Sequence, residues 1–240
     1  MVTLSRKELE HISRKILADY LRLCDTPPTR IDPHDLGAKL YGVKFQYCDL
    51  GNYKQALGIT SRSNCELRIW NNTGDFDVVA LDGRTALIDS SLLVEGQEGR
   101  LHFTMMHEVS HKIIEDMYPD NLPIRYCEDP LLYRLSSVPH TGEIIDWGEW
   151  QANTLTSYLL LPRELIFKHM KRVGLDGGIR CLNRKFSLKE YAKFSDVAAS
   201  LGVSKTALAI RLNQMGLVQV NNFSNPYDLV NVYPDKDEIF

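Results

Sequence analysis

Hydrophobic positions near the start of the chain fall at helical spacing. Leu9, Ile12, Ile16 and Tyr20 recur every three or four residues behind a Ser5-x-x-Glu8 pair that has the form of a capping box, so a first helix is predicted to about Leu23. Pro27 and Pro28 end it, and Asp32-Pro33 opens a shorter helix that reaches Tyr41 and stops at Gly42. From Val43 to Asp89 the texture becomes short β-rich runs divided by turn residues: VKFQYC, ALGI, CELRIW, FDVVAL and RTALID. Asp82-Gly83 between the last two predicts a two-residue hairpin, and the stretch as a whole a small, twisted, mostly antiparallel sheet. Helical spacing returns from about Arg100 to Met117, where Pro119 stops it. Residues 118–145, with Pro119, Pro123, Pro130 and Pro139, read as loop. WGEWQANTLTSYLLL is the next helix, and Pro162 fits the first turn of another, PRELIFKHMKR. Ser195 to Leu217 reads as two short helices around Gly202-Val203, and the tail NPYDLVNVYPDKDEIF as extended or loosely docked. These elements predict an α+β chain with a first domain over 1–162, a helical module over 163–218 and a tail over 219–240.

Composition narrows the setting. The five cysteines are odd in number, widely spaced and never arranged as C-x-x-C, which argues against a disulfide framework or a zinc ribbon and for reduced thiols in a cytoplasmic protein. The N-terminal MVTLSRKELEH has no apolar signal core, and no run approaches the ~20 apolar residues of a membrane helix, so a soluble protein without a membrane partner is expected. A net charge of −3 gives no overall bias toward nucleic acid. The charge is uneven, however: residues 163–193 hold nine Lys/Arg against three Asp/Glu, which leaves −9 on the rest.

The chemistry concentrates in HFTMMHEVSHKII, residues 102–114. Met105, Met106, Val109, Ile113 and Ile114 ask for burial, and His107, Glu108 and His111 in their company need partners or a metal, because an unpaired buried polar group is costly. Residues four apart lie one above the other on a helix, so His107 and His111 can share one Zn²⁺ at ~2.0–2.1 Å each. Glu108 then lies toward the open side of the metal, where a carboxylate can take a proton from water as the general base.

A catalytic zinc needs a third protein ligand and a free position. The extended motif that places Gly and His further along the same segment is excluded, since Ile114 and Met117 occupy those positions. The candidates are Asp116, Glu128, His140, Glu143, Asp146 and Glu149. Glu149 is favoured because Glu149, Ala152, Asn153 and Thr156 form one helix face, on which Ala152 permits close approach and Asn153 can accept a hydrogen bond from a ligand His. The plainer reading of Glu149 is a solvated charge at a helix N-terminus.

HFTMMHEVSHKII followed by EWQANTLTSYLLLP resembles the ImmA/IrrE family of metallo-endopeptidases, whose pattern is H-E-L-G-H, then E-x-x-A-N and L-L-x-P. The resemblance runs from the first helix to about Leu217 and departs at Val109 and Ser110, where Leu and Gly are usual. It implies a zincin-like core, Zn²⁺ held by His107, His111 and Glu149, and Glu108 as general base. It also implies a protein substrate, a helix-turn-helix repressor of a mobile element or stress regulon. The connection from His111 to Glu149 is long for the family and could shape or cover the cleft.

SDVAASLGVSKTALAIRLNQMGL is similar to a helix-turn-helix, with Val197, Ala198, Leu201, Val203, Leu208 and Leu212 as its core, Ser204 as the cap of its second helix and Gly216 as the stop. Its outward polar set would be Lys205, Thr206, Arg211, Asn213 and Gln214. Docking of the repressor substrate, direct DNA contact aided by the basic stretch from Arg163 to Lys193, and scaffolding are the open readings. A DNA-binding regulator or antirepressor with a structural metal site is the alternative to the protease. Among weaker features, Tyr126 and His140 could donate to an oxyanion but read more simply as surface residues, while His102, Trp70, Trp147 and Trp150 read as packed.

Overall fold

The computed structural model describes residues 3–50, 56–70, 75–119, 134–135, 147–184 and 187–220. It is an α+β chain in two compact units, residues 1–28 with 32–159 and residues 29–31 with 160–240. The expected loop over 118–145 lies mostly outside the described residues, as does the tail beyond residue 220.

In the first unit, α1 (Arg6–Arg22) carries the capping box as read: Ser5 Oγ accepts from Glu8 N–H, and Glu8 Oε2 accepts from Ser5 N–H at 2.8 Å. Leu9, Ile12, Ile16 and Tyr20 are its buried stripe. Asp32 caps α2 (Pro33–Tyr41), which ends on Gly42 in the left-handed conformation (φ 62°). Five strands follow where β texture was read: β1 (Lys44–Cys48), β2 (Gly58–Thr60), β3 (Asn64–Trp70), β4 (Phe76–Asp82) and β5 (Thr85–Asp89).

Their pairing differs from the expectation. The main sheet is mixed, with order β1-β5-β2-β6, where β6 is Arg134–Leu135. Its β1–β5 pair is parallel, while β2–β5 and β2–β6 are antiparallel. β3 and β4 form a separate antiparallel ribbon. The hairpin expected at Asp82-Gly83 is absent, since β4 and β5 belong to different sheets. The Asp82 carboxylate explains the divergence. It accepts from Arg84 N–H at 2.9 Å and from Thr85 Oγ1 at 2.8 Å, which turns the chain from one sheet into the other instead of folding it back.

Alternate residues of β5 then serve opposite faces. Leu87 joins Ile59, Leu67, Ile69 and Leu81 in a core cluster shared with the ribbon. Ile88 joins Leu92 and Met105 in a cluster shared with the long helix α3 (Glu98–Met117). Met106, Val109 and Ile113 of α3 are fully buried, each contributing about 1.5–3 kcal/mol of apolar burial. Helix α2 presses on α3 through Gly37: a methyl there would meet Val109 Cγ2 at 2.8 Å. The far end of α3 is tied down by polar contacts. Buried Lys112 donates to Ser61 O at 3.1 Å and pairs with Glu115 at 2.8 Å, and Arg84 pairs with Asp116 at 2.6 Å. These ties fix the helix that carries His107 and His111.

Helix α4 (Trp147–Leu160) has its first turn anchored by Gln151, which accepts from Leu4 N–H at 2.8 Å and donates to Trp147 O at 2.9 Å. The expectation that Trp147 is packed fails: its side chain is exposed, with its ring edge-on to that of Trp150. The side chain of Trp70 lies outside what is described.

The second unit holds α5 (Arg163–Arg172), β7 (Ile179–Cys181), α6 (Leu188–Leu201), α7 (Lys205–Gln214) and β8 (Val218–Val220). Pro162 is the N-cap of α5 and not a residue of its first turn. The parallel β7–β8 pair was not anticipated in a module read as helical, because three-residue strands are too short to show a period. Val197, Ala198, Leu201, Val203, Leu208 and Leu212 are all buried, and Ser204 caps α7 by accepting from Ala207 N–H. α6 begins earlier than read, at Leu188. Arg211 is not an outward residue: it is buried, and its Nε donates to Leu161 O at 3.3 Å. No helix among the described residues is long and apolar enough to cross a membrane.

Candidate metal centre

His107 and His111 stand one turn apart on α3, and Glu149 comes from the first turn of α4. The His107 and His111 Nε2 atoms are 2.9 Å apart. Glu149 Oε2 is 3.1 Å from the first of them, and Oε1 is 3.1 Å from the second. Both imidazoles are almost fully buried, whereas the Glu149 side chain is 14 % exposed. Asn153, one turn further along α4, is exposed.

The donor set fits a divalent cation. Ligand atoms of a tetrahedral zinc site with ~2.0–2.1 Å bonds stand ~3.3 Å apart, close to the spacing of these atoms. Two imidazole nitrogens and a carboxylate that face one another at such distances are mutually repulsive unless a proton or a cation lies among them. The electrostatics agree. Burial alone would lower the His107 pKa, yet it is raised, because the Glu149 hydrogen bond, the Glu108 and Glu149 charges and the Asn153 side chain together outweigh desolvation. Burial would raise the Glu149 pKa, yet its hydrogen bonds to His107 and His111 hold it well below the usual carboxylate range. The site thus favours positive charge among its three side chains. Among the described residues this is the one group of three His, Cys, Asp or Glu side chains arranged to hold a metal ion.

Glu108 is fully buried on the same helix, near enough for its charge to raise the His107 pKa. Asn153 contributes to raising the His107 pKa, but the expected hydrogen bond from the ring is not made: His107 Nδ1 is buried without a hydrogen-bond partner. Of the other third-ligand candidates, Asp116 is committed to Arg84. Glu128, His140, Glu143 and Asp146 lie outside the described residues, as does Tyr126. His102 lies on α3 and is half-buried.

Sequence reasoning missed the contact that joins the two site helices: Ser110 Oγ and Thr156 Oγ1 share a hydrogen bond of 2.9 Å with both residues fully buried. Thr156 was recognisable as a member of the Glu149 face, but nothing in the spacing named its partner. No protein-family model matches the chain, and neither does any curated protein.

Proposed function

We propose that the chain is a zinc-dependent endopeptidase of the ImmA/IrrE type with a zincin-like core, acting in the cytoplasm on a helix-turn-helix repressor of a mobile element or stress regulon. The observation that carries this reading is the convergence of His107, His111 and Glu149 from two helices, with the Glu108 carboxylate beside them. Two imidazoles and a carboxylate suit zinc better than magnesium or calcium, which prefer all-oxygen sites. A zinc ion held there would supply Lewis acidity, acidifying a water and drawing charge from a peptide carbonyl.

The chain's own residues supply the rest. Glu108 takes a proton from the attacking water, whose oxygen joins the carbonyl carbon. As the C–N bond breaks, Glu108 returns that proton to the leaving amine. Burial keeps the carboxylate away from bulk water, so the proton passes from one reacting group to the other. The main sheet offers backbone groups that could align an extended peptide by strand addition.

The test uses the full chain loaded with Zn²⁺ and the helix-turn-helix repressor encoded nearest to it. Mass spectrometry should find two fragments whose masses sum to the substrate plus one water. Fragments should disappear with a zinc chelator and return when zinc is restored. An intact repressor after prolonged incubation with the zinc-loaded chain would count against proteolysis of that partner.

A second reading, a DNA-binding regulator or antirepressor with a structural metal, draws support from exposed Arg163, Lys168, Lys171, Arg172, Arg180, Arg184 and Lys189. The buried Arg211 leaves fewer base-reading side chains on α7 than the sequence offered, which weighs against it. DNA retardation that weakens with salt and is unaffected by Glu108→Gln would favour this second reading.

A further inference from the structure

The two helices of the metal centre touch through short polar side chains as well as long ones. Glu149 spans the gap to both imidazoles, and Ser110 meets Thr156 at 2.9 Å. Glu149 and Thr156 are seven residues apart on α4, which is two turns with a drift of only ~20°, so they look out from one face. Ser110 sits between His107 and His111 in sequence, on the α3 turn that carries the metal donors. Ala152, with no exposed surface, lies between Glu149 and Thr156 on the α4 face.

The geometry of the two kinds of contact differs in tolerance. A glutamate has three rotatable bonds and can follow a helix that slides or turns. Serine and threonine hydroxyls hang one bond from Cβ, so a bond between them forms only at close backbone approach and opens after a small shift. One contact leaves α4 free to pivot about it. Two contacts about two turns apart on the same face fix both its slide and its rotation against α3.

We propose that the Ser110–Thr156 hydrogen bond locks the register of α3 against α4 and so holds Glu149 within coordinating reach of His107 and His111. Ser110 and Thr156 are positioning residues for the metal centre, an inference that rests on the metal reading above. The bland account of the pair is that two buried hydroxyls satisfy each other and do nothing more. The two accounts differ in what happens to metal affinity when the pair is broken in a protein that still folds.

Thr156→Val keeps the shape of the side chain and removes its hydroxyl, while the Ser110 hydroxyl can turn to the Met106 carbonyl of its own helix. Ser110→Ala removes the other partner. The exchanged pair, Ser110→Thr with Thr156→Ser, restores two hydroxyls in the reverse order. Zn²⁺ affinity of each full-length chain is measured by competition with a chromophoric chelator, and thermal unfolding of each metal-free chain is followed in parallel. Each single variant should bind zinc about tenfold more weakly, the low end for residues that orient metal ligands, and the exchanged pair should recover most of the loss. Zinc binding within twofold of the unaltered chain in both single variants would overturn the proposal, whatever their thermal stability. A loss that the exchanged pair does not recover would also overturn it, because volume and not the hydrogen bond would then be at work. Failure of the unaltered chain to bind zinc would instead overturn the metal reading, and the register lock with it.

Discussion

Glu108→Gln should retain Zn²⁺ and reduce peptide hydrolysis by a factor of ~10²–10⁴. Glutamine has the shape of glutamate, so the fully buried side chain at 108 can be exchanged with little change in packing. It sits beside the first histidine and is not one of the three side chains that converge, so the donor atoms stay where they are. What it loses is the capacity to hold a proton. The expected factor corresponds to about 3–5 kcal/mol of transition-state stabilisation, and it should appear in kcat, because the amide can still occupy the space of the carboxylate while substrate binds. Metal analysis beside a kcat measurement checks both halves. Zinc retained with undiminished cleavage would remove Glu108 from the mechanism.

Glu149→Gln should do the reverse, acting first on the metal. The amide keeps the size of the side chain but gives up the charge that balances a divalent cation between two neutral imidazoles. Zinc affinity should fall by at least ~10²-fold, beyond the range seen when only an outer partner of a ligand is lost. A second consequence appears without any metal. Desolvation acts to lower the His107 pKa, and the Glu149 hydrogen bond is the largest influence opposing it. With glutamine at 149 that influence is gone, so the His107 pKa should drop. NMR titration of the histidine ring protons in metal-free protein measures this shift directly. An unchanged His107 titration would mean that Glu149 does not face the ring in solution.

Local signals were legible in the sequence, and contacts between distant residues were not. The Ser5–Glu8 capping box, the Asp32-Pro33 start and Gly42 stop of α2, and the Ser204 cap of α7 are chemistry that neighbouring residues carry out together, and each is present as read. The pairing of His107 with His111 belongs to this class, since one helical turn sets it. Glu149 needed more: a helix face containing Ala152 and Asn153 pointed to it, and the site geometry brings it to both rings. The hairpin at Asp82-Gly83 misled because the dipeptide specifies a turn and not the partner of the strand that leaves it. Asp82 spends its acceptors on Arg84 and Thr85, and β5 goes to β1 and β2. Arg211 looked outward because arginine usually does, and the Leu161 carbonyl that receives it lies fifty residues back along the chain. The Ser110–Thr156 bond and the buried Lys112–Glu115 pair were hidden for the same reason: hydroxyls and charges in a helix read as solvent-facing until a neighbouring element covers them.

X-ray absorption by the zinc-loaded full chain tests the central claim most directly, because it reports donor identity and distance at the metal itself. The account predicts one zinc per chain in a shell of nitrogen and oxygen donors at ~2.0–2.1 Å, with the multiple-scattering signature of two imidazoles. A chain that takes up no zinc, or a shell containing sulfur at ~2.3 Å from cysteine, would contradict it.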